Sequence, residues 1–114
     1  MKIKHFSEVP PVEIKMEGVK NVKKRLLLGP MDGTPSFAMR MFEIEPDGYT
    51  PYHTHPYEHE VFVLEGEGEL ITAEGKFPLS KGDVILVPPS IGHQFKASKT
   101  ERLVFLCVVP NHAA

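Results

Sequence analysis

The sequence predicts an all-β domain in which short strands form a sandwich or a barrel. Two observations lead to this prediction. The nine glycines and eleven prolines are spread along the chain, and the short segments between them are rich in Val, Ile, Leu and Phe. No stretch of about twelve residues keeps a helical period without a Gly or a Pro, so helix is expected only as a single turn near Glu13–Lys20.

Seven apolar segments are predicted to be strands because turn-forming residues bound each of them. They are Leu26–Leu28, Ser36–Glu45, Val61–Leu64, Glu69–Ala73, Val84–Val87, His93–Ala97 and Arg102–Val109. Turns are expected where glycine stands beside proline or a charged residue. The expected turns are Gly29-Pro30, Asp32-Gly33, Pro46-Asp47-Gly48, Gly66-Glu67-Gly68, Glu74-Gly75 and Gly82-Asp83. The turn at Gly66-Glu67-Gly68 is expected to be a solvated acidic hairpin that carries Glu65, Glu67 and Glu69.

The chain of 114 residues is long enough for one domain. Residues 21–114 are expected to form the barrel domain, and residues 1–20, with Pro10-Pro11 and scattered charge, an N-terminal arm. A net charge of -2 excludes a broad basic surface, so no nucleic-acid partner is expected. The longest apolar run, Leu103–Val109, is too short to cross a bilayer, and no signal peptide is visible. A cytoplasmic protein without a membrane partner is therefore expected, and its single cysteine, Cys107, excludes an internal disulfide.

Three of the six histidines lie close together in the segment PYHTHPYEHEVF. Because side chains alternate along a strand, His53 and His55 are expected on one face. His59 shares their parity, although Pro56 is expected to bend the chain between them. Three imidazoles on one face offer lone pairs that a single cation satisfies together. His93, at the start of a later strand, is positioned to add a fourth.

On these residues the chain resembles the cupin superfamily, whose fold is a small jelly-roll barrel of the double-stranded β-helix type. The positions that match the two cupin motifs are Gly48, His53, His55 and Gly66 in the first, and Gly82, Pro88 and His93 in the second. Ser90 and Ala97 stand where the second motif has Gly and Asn, and Gly48 is one residue closer to His53 than is usual. The resemblance covers residues 46–97 and implies the jelly-roll fold.

The remaining ligand position of the first motif falls on His59 or Glu60. His59 satisfies the motif spacing on both sides, to His55 and to Gly66, whereas Glu60 satisfies only the looser spacing after His55. The chain is similar to a small four-histidine cupin subgroup. This resemblance implies that His53, His55, His59 and His93 bind a metal, with Glu60 on the opposite strand face as the alternative ligand.

The four-histidine subgroup binds manganese, so the resemblance implies Mn(II), with Fe(II) next. Intrinsic affinity for imidazole instead favours Cu(II), Ni(II) and Zn(II) over manganese. Because imidazole must be deprotonated to bind a metal, the metal affinity is expected to fall as the pH drops through about 6.5.

Four neutral ligands leave the charge of a divalent ion uncompensated, which favours an anionic or enolate-like substrate or a peroxide. The expected function is therefore a metal-dependent oxidoreductase that cleaves a carbon–carbon bond of a small organic molecule with dioxygen or peroxide. A non-enzymatic module that senses a metal or a small molecule is one alternative. A sugar isomerase or epimerase is another, although it would need a carboxylate base, and none is well placed.

Three further residues are candidates for the pocket. Phe105 and Cys107 share one face of the last strand, which the resemblance places near the site. Cys107 is then either a thiol behind the metal ligands or a small core residue. Arg40, if it faces inward, would hold a substrate carboxylate, but an outward position as an edge-strand charge is favoured. Residues of the other parity are expected in the core: Phe37, Met39 and Met41.

Open sheet edges are usually covered in proteins. The apolar segment Lys24–Gly29 is a suitable edge for pairing between two copies, so a homodimer is expected.

Overall fold

Strands form where β-branched and aromatic residues recur between turns, and the computed structural model describes eight of them in residues 1–114. The strands are β1 (Val12–Glu13), β2 (Lys20–Leu28), β3 (Phe37–Tyr49), β4 (His59–Thr72), β5 (Gly75–Ser80), β6 (Val84–Val87), β7 (Gln94–Ala97) and β8 (Leu103–Pro110). Helix occurs only as 3₁₀ turns of three residues, at Phe6–Glu8, Pro30–Asp32 and Asn111–Ala113. None of these turns is long and apolar enough to cross a membrane.

The eight strands form one antiparallel sheet that curls into a barrel. The order is β1-β2-β3-β7-β4-β5, while β8 pairs with both β3 and β4, and β6 pairs with β4. The two longest strands, β3 and β4, each bend so that different parts of the same strand pair with different neighbours. This closes the sheet, and the predicted all-β barrel is confirmed.

The core lies between β8 and the two long strands that flank it. Four alternate residues of β8 are at most 2% exposed: Leu103, Phe105, Cys107 and Val109. They pack with Ile44 of β3 and with Val61 and Val63 of β4. Because alternate side chains of a strand share a face, this one face of β8 lines the barrel interior. The expectation that Phe105 and Cys107 face the interior together is confirmed.

Most predicted strands are present, and their bounds differ at the ends. The bounds of β6 coincide with the prediction, whereas β2 begins at Lys20 rather than Leu26. Two strands were not predicted. One is β1, which is only two residues long, and the other is β5, which contains Pro78. Proline is tolerated there because β5 is the last strand of the sheet order.

Two predicted turns are wrong because they lie inside strands. Pro46-Asp47-Gly48 belongs to β3, and Gly66-Glu67-Gly68 belongs to β4. The register of β4 against β8 shifts between Val63 and Glu65, and Gly66 follows with φ +84°. A Cβ at Gly66 would lie 1.6 Å from the carbonyl oxygen of Arg102. The glycine therefore permits a bulge that bends β4, and the expected acidic hairpin does not form.

The helical turn expected at Glu13–Lys20 is also wrong. Glu13 pairs with Lys23 in the β1–β2 hairpin, and the chain reverses through Gly18 at φ +81°. Ile14 and Val19, on either side of this reversal, pack against the barrel core. The apolar residues of this segment thus contact the barrel without forming a helix. The division into an arm of residues 1–20 and a barrel of residues 21–114 stays a prediction.

The loop before β7 carries backbone strain at Ser90. This residue has φ +68°, in the left-handed region, and its backbone N–H donates to the carbonyl oxygen of His55 at 2.6 Å. The hydrogen bond holds Ser90 in a conformation that favours glycine. Ser90 is also the position at which the cupin motif has glycine.

Replacing Ser90 by glycine is therefore expected to stabilise the protein by about 0.5–1 kcal/mol, because relief of the strain exceeds the added entropy of the unfolded chain. Urea unfolding of the metal-free protein checks this. Unchanged or lower stability of the Ser90→Gly variant would contradict the strain. Ser98→Gly, in a different loop, is the matched control and is not expected to stabilise.

Candidate metal centre

Two stretches of chain bring four histidines to one end of the barrel interior. His53 and His55 precede β4, His59 is its first residue, and His93 lies just before β7. The backbones of His53 and His93 form an isolated bridge, with N–H···O distances of 3.1 and 3.0 Å. The Ser90–His55 hydrogen bond adds a second link. The relative position of the two stretches is thus fixed by backbone hydrogen bonds, which do not depend on the imidazoles.

Each of the four rings contacts at least two of the others. The ring centroids of His53 lie 4.0 Å from His55 and 5.0 Å from His93. Those of His59 lie 4.7 Å from His55 and 5.0 Å from His93. His53, His55 and His93 can each offer one ring nitrogen so that all three nitrogens lie within 4.8 Å of one another. This three-imidazole cluster can hold a metal ion, and His59 lies directly beside it.

The imidazoles of His53, His55 and His59 favour their neutral form. Burial, followed by the nearby His55 and His93 rings, lowers the pKa of His53 to about 4. Burial, followed by His93 and Arg40, lowers the pKa of His59 to about 3. The pKa of His55 is also lowered, chiefly by burial. Neutral imidazole is the form that carries a lone pair for a metal.

Hydrogen bonds decide which nitrogen of two of the rings is free. His93 Nδ1 lies 2.8 Å from the carbonyl oxygen of Ile91, so Nδ1 carries the proton and Nε2 keeps its lone pair. His59 Nδ1 lies 3.1 Å from the sulfur of Cys107, while His59 Nε2 is buried and has no hydrogen-bond partner. A buried nitrogen without a partner is unfavourable unless something else satisfies it.

The unpartnered His59 nitrogen is the observation that tests whether a metal fits. His53 Nε2 and His55 Nε2 also face each other at 3.0 Å, a contact in which at most one of the two nitrogens carries a proton. A divalent transition-metal ion accepts such lone pairs together. The donor set therefore fits a metal, and the donors alone do not determine which one.

A cavity of about 200 Å³ opens beside the imidazoles. Phe105 and Cys107 line it, as predicted, and so does Tyr57, whose ring stacks on His55 with centroids 4.8 Å apart. Burial raises the pKa of the Cys107 thiol, and the neighbouring Arg40 opposes that rise. Glu60, the alternative ligand, is exposed on the opposite face of β4 from His59.

The prediction that Arg40 faces outward is wrong. Arg40 is only 8% exposed, lines the cavity, and donates from Nη2 to the sulfur of Cys107 at 3.1 Å. Phe37, Met39 and Met41 were expected in the core, but they lie on the outer face of β3. Phe37 is 68% exposed and Met39 is half-buried, and only Met41 is buried. The inner face carries Arg40 together with Phe42 of the cavity wall.

Lys24 also lines the cavity, a position that was not predicted from the sequence. It pairs with Phe42 across β2 and β3, so it shares the face of Arg40. The alternation of Val22, Lys24 and Leu26 along β2 indicates that these three residues share a face. Which face points inward follows only from the register against β3, because polar and apolar residues are mixed on both faces of β2.

The comparison with known proteins agrees with this architecture. The family model of the cupin domain matches residues 40–109, which is more than half of the chain. The polyketide cyclase RemF of Streptomyces resistomycificus has a similar structure, with a TM-score of 0.92 and 32% identity, over 96% of this chain and 79% of that one. This chain belongs to the cupin family and has its single-domain jelly-roll fold.

Two curated proteins are similar over part of their length. A 1-methylthio-D-xylulose 5-phosphate methylsulfurylase of Rhodospirillum rubrum is 32% identical over 71 residues, which cover 62% of this chain and 46% of that protein. A gentisate 1,2-dioxygenase of a Ralstonia species is 31% identical over 80 residues, 69% of this chain and 22% of that protein. The chain thus spans less than half the length of either curated relative.

The lowered pKa values predict how acid affects the metal-free protein. The pKa values of His53 and His59, about 4 and about 3, lie below the value of 6.5 expected in the unfolded chain. Between these limits the unfolded state binds more protons, so the folding stability falls as the pH drops below about 6.5. Each such group contributes a slope of up to about 1.4 kcal/mol per pH unit.

Urea unfolding between about pH 7 and 5 measures this slope. His59→Gln is expected to make it shallower, and a slope identical to that of the unchanged protein would contradict the buried neutral imidazole. The same shifts change the expectation for two of the proposed metal ligands. Because His53 and His59 remain neutral to lower pH, protons are expected to compete with the metal at these two rings only well below the pH of 6.5 predicted from the sequence.

Proposed function

We propose that this cupin is a metal-dependent oxidoreductase that acts on a small organic molecule, with His53, His55, His59 and His93 as the metal ligands. The observation that carries the proposal is the convergence of four imidazoles beside a cavity. His59 is included because its buried Nε2 lacks a partner while its ring contacts two members of the cluster. Glu60 is left out of the proposed ligand set because its side chain is exposed on the other face of β4.

The resemblance to the four-histidine subgroup supports Mn(II), with Fe(II), Cu(II), Ni(II) and Zn(II) as alternatives that imidazole also accepts. When bound, a divalent ion with neutral ligands supplies positive charge for an enolate or phenolate oxygen and a redox centre for dioxygen or peroxide. No carboxylate ligand offsets this charge, which favours an anionic substrate.

The chain's own residues shape the substrate site around this charge. Phe42, Phe105 and Phe95 give the cavity apolar walls that exclude water. Arg40 supplies a fixed positive charge. The cavity lining contains neither Asp nor Glu, so no carboxylate is available as a general base. This absence disfavours the sugar isomerase or epimerase alternative.

A second candidate is a cyclisation without net oxidation. It is favoured by the similarity to the polyketide cyclase RemF, which extends over 79% of that chain, compared with 22% of the gentisate dioxygenase. Both reactions benefit from stabilising an enolate or phenolate oxygen. They differ in whether an oxidant is consumed.

The proposed partners are a small-molecule substrate and a second copy of the chain, with neither nucleic acid nor membrane, and the proposed location is the cytoplasm. The β2 edge supports the homodimer. β1 pairs with β2 only at Lys23 and Lys24, so β1 leaves the backbone of the Leu26–Leu28 part of that edge unpaired. These three residues are half-buried, and an unpaired apolar edge of this kind favours pairing with another chain.

Metal binding separates the two ligand assignments. Untagged protein incubated with Mn(II) is expected to bind about one ion per chain, and His59→Ala is expected to weaken the binding at least about tenfold, because one ligand is lost. Glu60→Ala, the matched control on the neighbouring residue, is expected to change the affinity less than about twofold. Isothermal titration calorimetry and elemental analysis measure both. Equal effects of the two substitutions, or less than about a tenth of an ion per chain with every candidate metal, would contradict the assignment.

Turnover tests the reaction class. The Mn(II)-loaded protein is expected to consume dioxygen or peroxide with electron-rich alkenes and hydroxylated aromatic acids, and the metal-free protein is not. An oxygen electrode and product mass spectrometry follow the reaction. A product formed without consumption of oxidant would favour the cyclisation, and tight metal binding without any turnover would favour a sensing module.

A further inference from the structure

The cavity beside the imidazoles contains two cationic side chains and no carboxylate. Arg40 of β3 and Lys24 of β2 are among its 17 lining residues, and none of the others is Asp or Glu. The other two arginines of the chain are paired with acidic side chains. Arg25 pairs with Glu43 at 3.0 Å, and Arg102 with Glu65 at 3.5 Å. The positive charge of the cavity is therefore not neutralised by the protein.

The guanidinium of Arg40 is fixed in position, yet most of its donors are unused. Its one hydrogen bond runs from Nη2 to the sulfur of Cys107, and its planar group lies 5.0 Å from the centre of the Phe42 ring. Its Nε is buried without a partner. A buried guanidinium without an anion is unfavourable, and its planar donor arrangement matches an oxyanion.

Lys24 faces the same space from the neighbouring strand. Lys24 pairs with Phe42 and Leu26 pairs with Arg40, so the two cations share one face, diagonally across β2 and β3. Lys24 is half-buried, and its ammonium makes neither a hydrogen bond nor an ion pair. Burial and then Arg40 lower its pKa, which is consistent with two neighbouring positive charges that lack an anion between them.

We infer that Arg40 and Lys24 form an anion subsite that binds the oxyanion of a small organic acid, a carboxylate or a phosphate, while the rest of that molecule faces the imidazole cluster. The inference rests on the proposed function and specifies its substrate class. An acid bound in this way directs its opposite end toward His53, His55 and His59, which line the same cavity. The acid is then a substrate with a hydroxyl or enolisable oxygen at that end.

The size and walls of the cavity limit this acid to about one ring. A cavity of about 150 Å³ holds benzene, and this one measures about 200 Å³. Apolar side chains, including Ile14, Phe42 and Phe105, form its walls. A single substituted ring fits this volume and these walls, with its charged group at the two cations.

Calorimetry on the metal-free protein at about pH 8 tests the subsite, because no metal can then bind the acid and the histidines are neutral. The probes are salicylate, phenyl phosphate and the neutral analogue salicylamide. We expect at least one of the two acids to bind about tenfold more tightly than salicylamide. The acid that binds with the higher affinity shows whether the subsite prefers a carboxylate or a phosphate.

Charge-removing variants locate the binding. Arg40→Gln and Lys24→Gln are each expected to weaken binding of the preferred acid about tenfold, whereas Lys24→Arg retains it. Lys23→Gln removes the same charge from the exposed face of β2 and is expected to change binding less than about twofold. If Arg40→Gln fails to fold, the comparison between Lys24→Gln and Lys23→Gln carries the test.

The inference is overturned if neither acid binds measurably, if salicylamide binds as tightly as both acids, or if Lys24→Gln behaves like Lys23→Gln. These outcomes are distinct from a failure of the proposed function. A protein that binds no metal but still discriminates acids through Arg40 and Lys24 contradicts the enzyme proposal alone. A protein that binds metal and turns over but shows no such discrimination contradicts the subsite alone.

Discussion

The burial of neutral imidazoles whose lone pairs face one another is the constraint on which the rest of the site depends. The protein supplies partners for the outer nitrogens, the Ile91 carbonyl for His93 and the Cys107 sulfur for His59. It supplies none for the inner nitrogen of His59. Backbone hydrogen bonds between the two chain stretches keep the rings together. A divalent cation would satisfy the lone pairs of His53, His55 and His93 together, and we propose that it also binds the free nitrogen of His59.

The same inward face of a strand therefore contributes both to the hydrophobic core and to the lining of the cavity. The face of β8 that builds the core with Leu103 and Val109 also contributes Phe105 and Cys107 to the cavity. Cys107 contacts both His59 and Arg40, so the thiol connects the imidazole cluster to the cationic part of the cavity. The cavity lining contains two cationic side chains and no carboxylate, and we infer that an anion from outside the chain binds there.

Sequence patterns predicted the architecture and the histidine cluster because both depend on local spacing. Alternation placed Phe105 and Cys107 on one face of the last strand, the resemblance placed that strand near the site, and both predictions agree with the structure. Alternation failed at Arg40, because the apolar residues Phe37 and Met39 of β3 were assigned to the core, whereas in this barrel the inner face is partly polar. The bulge at Gly66 was mistaken for a turn, since a glycine between charged residues is typical of both. Lys24 depends on the register between strands, which the pattern does not contain.

X-ray absorption spectroscopy of the Zn(II)-loaded protein tests the proposed metal site most directly, because it counts the imidazoles around the ion. We expect four histidine nitrogens at about 2.0–2.1 Å and the loss of one of them in the His59→Ala variant. A shell with a carboxylate oxygen in place of one imidazole, or a nitrogen count unchanged by His59→Ala, would contradict the proposed site.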